Sequence, residues 1–189
     1  LRSRYDSAMH WFDQGWALAK ELNEPRLMRS AMNFSTFFLY WQGRFKDAIQ
    51  IYEQSVSDIE NYPRESFNLL ANITIGYCYA QIGQVTQGLG MLDAIRNHCL
   101  ERGDLYLACH TAGNIGNILL DIGRREDALS FLETSGREAK KSHNDWVGMS
   151  ININLSYLYY LRGETKPAVR HLRDFLQQSK KVQATVYLY

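Results

Sequence analysis

GNIGNILLDIGRREDAL, residues Gly113 to Leu129, is the stretch on which the fold turns. It reads either as a glycine-rich ligand loop or as helix punctuation. A dinucleotide-binding loop needs GxGxxG between a strand and a helix. This stretch has GxxG, inside a helical pattern and after no strand. The rest of the chain decides for punctuation. Gly43, Gly83, Gly123 and Gly163 are each 40 residues apart. Five residues beyond each stands a small residue, Ala48, Gly88, Ala128 and Ala168, and one period before Ala48 stands Ala8. Four residues further on come Phe12, Tyr52, Leu92, Leu132 and Leu172. Seven before each glycine is a second small column, Thr36, Gly76, Gly116 and Ser156, and four before it are Leu39, Tyr79, Leu119 and Tyr159. These columns stay in step without an insertion, the mark of a repeat architecture.

Within each unit apolar residues recur at three- and four-residue intervals, as in Ile75, Tyr79, Ile82, which is helical periodicity. No segment alternates as a strand does. The glycine after each first helix takes a left-handed cap conformation at little cost, and the chain reverses into a second, antiparallel helix. The small columns let paired helices approach where they cross, and the large columns fill the space beside them. Pro167 falls in the first turn of a second helix, where its missing N–H costs nothing. Pro25 and Pro63 fall between units, where helices should stop. Gly116 therefore reads as a packing residue. Gly113, one turn earlier, fits either a partner contact or simple tolerance.

These columns resemble the tetratricopeptide repeat (TPR), most clearly in NITIGYCYAQIGQVTQGLGML (Asn72 to Leu92) and HTAGNIGNILLDIGRREDALSFL (His110 to Leu132). The resemblance covers essentially the whole chain. The basic repeat is about 34 residues, so 40 implies helices about three residues longer, similar to the long repeats of kinesin light chains, spindle-orientation adaptors and bacterial regulators. Gly88 departs from the usual alanine, and the proline that ends the family's second helix is mostly absent. The fold this implies is all-α, a right-handed superhelical solenoid of antiparallel helix pairs. A single array over 1–189 is expected: a second helix of a truncated repeat (1–24), full repeats at 25–64, 65–104, 105–144 and 145–184, and the start of a truncated repeat (185–189). The chain opens in mid-repeat and closes on the apolar Tyr187, Leu188 and Tyr189, whereas terminal repeats normally carry a polar face. It is expected to be a fragment of a longer protein, with truncated ends that could self-associate.

First helices line the concave side of such a stack, and by analogy the lining positions fall one, four and five residues beyond the first small column. They hold Phe37, Tyr40 and Trp41, then Tyr77 and Gln81, then Asn117 and Asp121, then Tyr157 and Tyr160, with Asn33 one turn earlier. Ala80, Leu120, Leu161, Ile73, Gly113 and Ile153 complete these positions. Tyrosine and tryptophan combine apolar area with a polar tip, which suits partner surfaces, although such residues also pack between repeats. Asn33 and Asn117 can both donate to and accept from a peptide backbone. The positions hold no Lys or Arg, so the family's dicarboxylate clamp for a peptide C-terminus is not evident.

The expected function is protein–protein interaction, a peptide or partner domain held in the concave groove, within a larger bacterial regulatory protein. The alternative is a structural spacer or self-association array with no groove ligand. The 189 residues are 46% hydrophobic and 22% charged, enough for a continuous core, and the net charge of +1 implies no nucleic-acid field. No apolar run approaches the roughly 20 residues that span a bilayer. The start, LRSRYDSAMHW, lacks the apolar core of a signal peptide. With three cysteines, an odd number, no disulfide framework is suggested, and a cytoplasmic protein is expected. HCLERGDLYLACH (His98 to His110) pairs His–Cys with Cys–His, but adjacent helical residues diverge by about 100° and zinc ligands favour wider spacing on turns. Two buried thiols with histidines at the helix surface is the expectation, with no metal and no cofactor. HExxH, GxSxG and P-loop patterns are absent, so no enzyme is expected. The sequons at Asn33, Asn72 and Asn154 fall inside expected helices and read as accidental.

Overall fold

The computed structural model describes residues 2–59 and 69–182. Among these it contains nine helices and no strand: α1 (Arg2–Glu21), α2 (Pro25–Trp41), α3 (Phe45–Ile59), α4 (Leu69–Gln81), α5 (Val85–Glu101), α6 (Leu105–Asp121), α7 (Arg125–Lys141), α8 (Asp145–Leu161) and α9 (Thr165–Val182). Pro63 and the apolar end at 187–189 lie outside the described residues. Pro25 starts α2 rather than stopping a helix, the position its locked φ favours. The contacts divide the chain into two compact units, Leu1–Met91 and Leu92–Tyr189, so that α5 contributes to both.

The turns carry a finer period than the one the glycines first reveal. Gly43, Gly83, Gly103, Gly123 and Gly163 all have φ between +70° and +92°, and Asn23 (+55°) and His143 (+54°) are left-handed too. These left-handed residues fall in one twenty-residue phase. At Gly123 the N–H donates to the carbonyl of Leu120 (3.0 Å), and the N–H of Arg124 donates to that of Leu119 (2.8 Å). That pair of bonds is a Schellman motif. The same pair recurs at 23–24, 43–44, 83–84, 103–104 and 163–164. Asparagine and histidine tolerate the left-handed region better than most residues, which is why the turns at 23 and 143 need no glycine. The next helix then starts at once. Asp104 and Asn144 accept the N–H of Leu107 (3.0 Å) and Val147 (3.1 Å), satisfying one orphan donor each.

The small columns are crossing points. A Cβ on Gly116 would lie 2.8 Å from Cγ of Leu132, itself fully buried. Ser156 donates its hydroxyl to the carbonyl of Ala168 at 2.9 Å, joining α8 to α9 through the two small columns. Thr36, fully buried, satisfies its hydroxyl on the carbonyl of Met32 (2.9 Å). The first unit buries Leu39, Ala48, Ile49, Ile75, Cys78 and Tyr79 together. In the second, Met149 and Phe175 pack with Trp146 and Ile153.

Candidate functional site

In the first unit, the expected lining residues form one aromatic cluster. Phe37, Tyr40 and Trp41 on α2 pack mutually with ring centroids 5.6 to 6.3 Å apart, and Tyr40 meets Tyr77 of α4 edge to face at 5.5 Å. All four are half-buried, as are Asn33 and Gln81. Edge-to-face pairs contribute beyond their buried area, so these rings hold α2 to α4 while keeping an exposed edge.

The second unit differs. Tyr157 and Tyr160 on α8 are 55% and 72% exposed. Asp121 on α6 is exposed and Asn117 half-buried. The carbonyl oxygens Oδ1 of Asn33 and Asn117 are both buried without a hydrogen-bond partner. Such orphaned acceptors are rare in folded proteins. Gly113 is not at a surface: a Cβ there would lie 3.0 Å from Cδ1 of Ile151 and 3.2 Å from Oγ of Ser135. Ile73, in the same register, is fully buried. Both glycines of GNIGN thus serve packing, and Asn117 is the member of that motif left with an unmet polar group.

Other residues enter that the spacing did not single out. His110 lies seven residues before Asn117, on the same stripe of α6. His110 is half-buried rather than at the surface as expected, and burial pushes its imidazole down to about 4, whereas His98 is exposed. At neutral pH the ring is uncharged. As pH falls from 6.5 towards 4, the unfolded chain takes up a proton that the folded chain refuses, so stability is lost across that window. The loss should approach about 2–3 kcal/mol. Urea midpoints at pH 7 and pH 4.5 should therefore differ more for the wild type than for His110→Gln; equal pH dependence in both would remove the assignment.

Tyr79 donates to Glu53 at 2.8 Å, and burial, reinforced by that carboxylate, pushes its phenol up to about 12. Tyr159 faces Glu133 at 3.4 Å in the same way. The two pairs are 80 residues apart, two periods, and the period was a signal that could have found them. The cysteines are all buried and free. Cys109 is hydrogen-bonded to the carbonyl of Tyr106 at 3.0 Å, with Asn144 Nδ2 3.6 Å from its sulfur. Burial raises all three thiols, Cys78 to about 12, which suppresses thiolate formation. No group of three or more metal-ligating residues gathers among the described residues. No helix among them is long and apolar enough to cross a membrane.

Paired helices, small-residue crossings and the left-handed turns between described helices define an all-α helical repeat, and the fold is that of TPR-like repeat proteins. Solved structures that share it include these three. BtubC (BKLC) from P. vanneervenii is similar with a TM-score of 0.72 at 13% identity, over 94% of this chain and 74% of that one. The nearly identical TPR-like repeats of a Podosopora anserina kinesin light chain give 0.62 at 16%, over 84% and 77%. The Rap conjugation gene regulator of the plasmid pLS20, in complex with the Phr* peptide, gives 0.71 at 20%, over 90% of this chain and 49% of that one. This chain thus spans about half of that regulator. At these identities the likeness is one of fold. No family model and no curated protein matches the sequence.

Proposed function

We propose that this chain is a protein-interaction module that holds an extended peptide against its first-helix residues. The carrying observation is the buried, unpartnered Oδ1 of Asn117 on α6, on a chain whose α8 presents the exposed Tyr157 and Tyr160. A peptide backbone brings N–H donors that would satisfy such an acceptor, and exposed tyrosines supply contact area at small entropic cost. The peptide-bound Rap regulator of similar fold supports the same reading. Asn33 with Phe37, Tyr40, Trp41, Tyr77 and Gln81 would serve a second stretch of partner in the first unit, and Asp121 would lie beside Asn117. The repeat boundaries 25–64, 65–104, 105–144 and 145–184, a place in a larger bacterial regulatory protein and a cytoplasmic setting belong to this proposal. Catalysis does not.

Tyr157 and Tyr160 make the cleaner test, because Tyr77 also packs on Tyr40. Peptides selected on the 189-residue chain from a display library of random twelve-residue sequences provide the probe. Tyr157→Ala combined with Tyr160→Ala should leave stability within about 0.5 kcal/mol and lower affinity for the selected peptides at least tenfold. Asn117→Ala should weaken binding comparably while leaving stability unchanged or raising it by about 1 kcal/mol, since an unsatisfied group is removed. Undiminished affinity in both variants by titration calorimetry sinks the assignment and favours a spacer without a groove ligand.

A further inference from the structure

A cavity of about 640 Å³ in the first unit is lined by α1, α2 and α3, away from the aromatic cluster. Asp13 and Trp16 come from α1, Met32 and Ser35 from α2, Glu53 and Ser55 from α3. Ser35 and Ser55 are only 6% and 4% exposed, and neither hydroxyl has a hydrogen-bond partner among the described residues. Both serines line the cavity wall, so their hydroxyls are left to whatever fills it rather than to the protein. Ser135, two periods after Ser55, is different: it donates to the carbonyl of Cys109 at 2.6 Å. Asp13 has no cationic partner among the described residues, and no lysine, arginine or histidine among them lines the cavity.

The positions three periods later, in the second unit, serve as an internal comparison. There Ser35 and Ser55 become Leu155 and Phe175, 5% and 3% exposed. Met32 becomes Asn152, Trp16 becomes Gly136 and Glu53 becomes Arg173. The repeat therefore folds with apolar residues at both serine positions, and packing alone does not call for hydroxyls. We propose that the cavity of the first unit binds an organic cation, an ammonium or guanidinium on an alkyl stem. Asp13, Glu53 and the two serine hydroxyls receive the charged head, and Met32 and the indole of Trp16 take the stem. An indole face attracts cations, and charge-assisted hydrogen bonds to carboxylates are the strong ones. Glu53 already accepts from Tyr79, which holds its carboxylate in place.

The head group could belong to a free amine or to a lysine side chain, and two probes separate these sources. Titration calorimetry of the 189-residue chain with 1,5-diaminopentane and with Nα-acetyl-lysine methylamide should give saturable binding of at least one. Tighter binding of the diamine identifies a small amine as the ligand, and tighter binding of capped lysine identifies a polypeptide side chain. Asp13→Asn, and Ser35→Ala with Ser55→Ala, should each weaken binding tenfold or more, with circular dichroism showing the helical fold retained. Binding of neither probe, or equal binding in the folded Asp13→Asn variant, overturns the proposal.

Discussion

Glu138→Ala is expected to destabilise the second unit by about 3 kcal/mol or more, the largest effect of any single substitution considered for this chain. Arg96 of α5 donates Nη2 to Glu138 Oε1 at 2.8 Å and Nη1 to Oε2 at 2.9 Å, a bidentate pair between α5 and α7. Nη1 also reaches the carbonyl of Ala108 on α6 at 2.9 Å. The two side chains are 11% and 14% exposed, so solvent screens the pair little. Removing the carboxylate leaves a desolvated guanidinium holding a single carbonyl. A surface pair such as Arg124–Asp127, both side chains more than half exposed, should cost at most about 1 kcal/mol when broken. Replacing both partners by apolar residues, Arg96→Met with Glu138→Leu, should recover most of the loss, because the penalty comes from the unpaired charge rather than from the pair's absence. Urea unfolding of the two single variants and the double variant checks this. A Glu138→Ala midpoint close to that of Asp127→Ala would show that the pair contributes no more than a surface one.

Gly88→Ala and Gly90→Ala, two positions on the same helix, should move stability in opposite directions. A Cβ on Gly88 collides with the carbonyl oxygen of Gly76 and lies 3.0 Å from the amide nitrogen of Ala80. Backbone atoms cannot swing aside as a side chain can, so α4 and α5 would have to separate. Overpacking of this kind costs about 1–3 kcal/mol, against which alanine's helix propensity returns about 1 kcal/mol. A net loss of about 1 kcal/mol, up to about 2, is expected. Gly90 has nothing within 4 Å of the same atom, so there only the propensity gain remains, about 0.5–1 kcal/mol of added stability. Thermal melts of the two variants therefore bracket the wild type. Gly88→Ala melting at or above Gly90→Ala would show that the small columns are not in contact.

Gly88, an apparent departure from the resembled pattern, is explained by its partner. Gly76 stands opposite, and two glycines bring the helices closer than a glycine and an alanine allow. Elsewhere the small residues pair differently, Ser156 with Ala168 through a hydrogen bond and Gly116 with the side chain of Leu132. The column was legible; what each pair does with the space was not.

By itself the sequence determined the all-α hairpin repeat, the glycine turns, the small-residue crossings and the stripe holding Asn33, Tyr77, Asn117 and Tyr157. Those features are local or periodic: a turn is set by one residue's φ, and a helical stripe by spacing along one chain. Only the tertiary structure decided that Gly113 is buried, that His110 is held neutral and that Tyr157 and Tyr160 stand exposed while Tyr40 and Tyr77 pack on each other. It alone joined Arg96 to Glu138 across 42 residues and left the hydroxyls of Ser35 and Ser55 without partners among the described residues. Burial and polar pairing depend on which atoms the neighbouring helices bring, and a column of residue types does not specify the distance at which two helices stop.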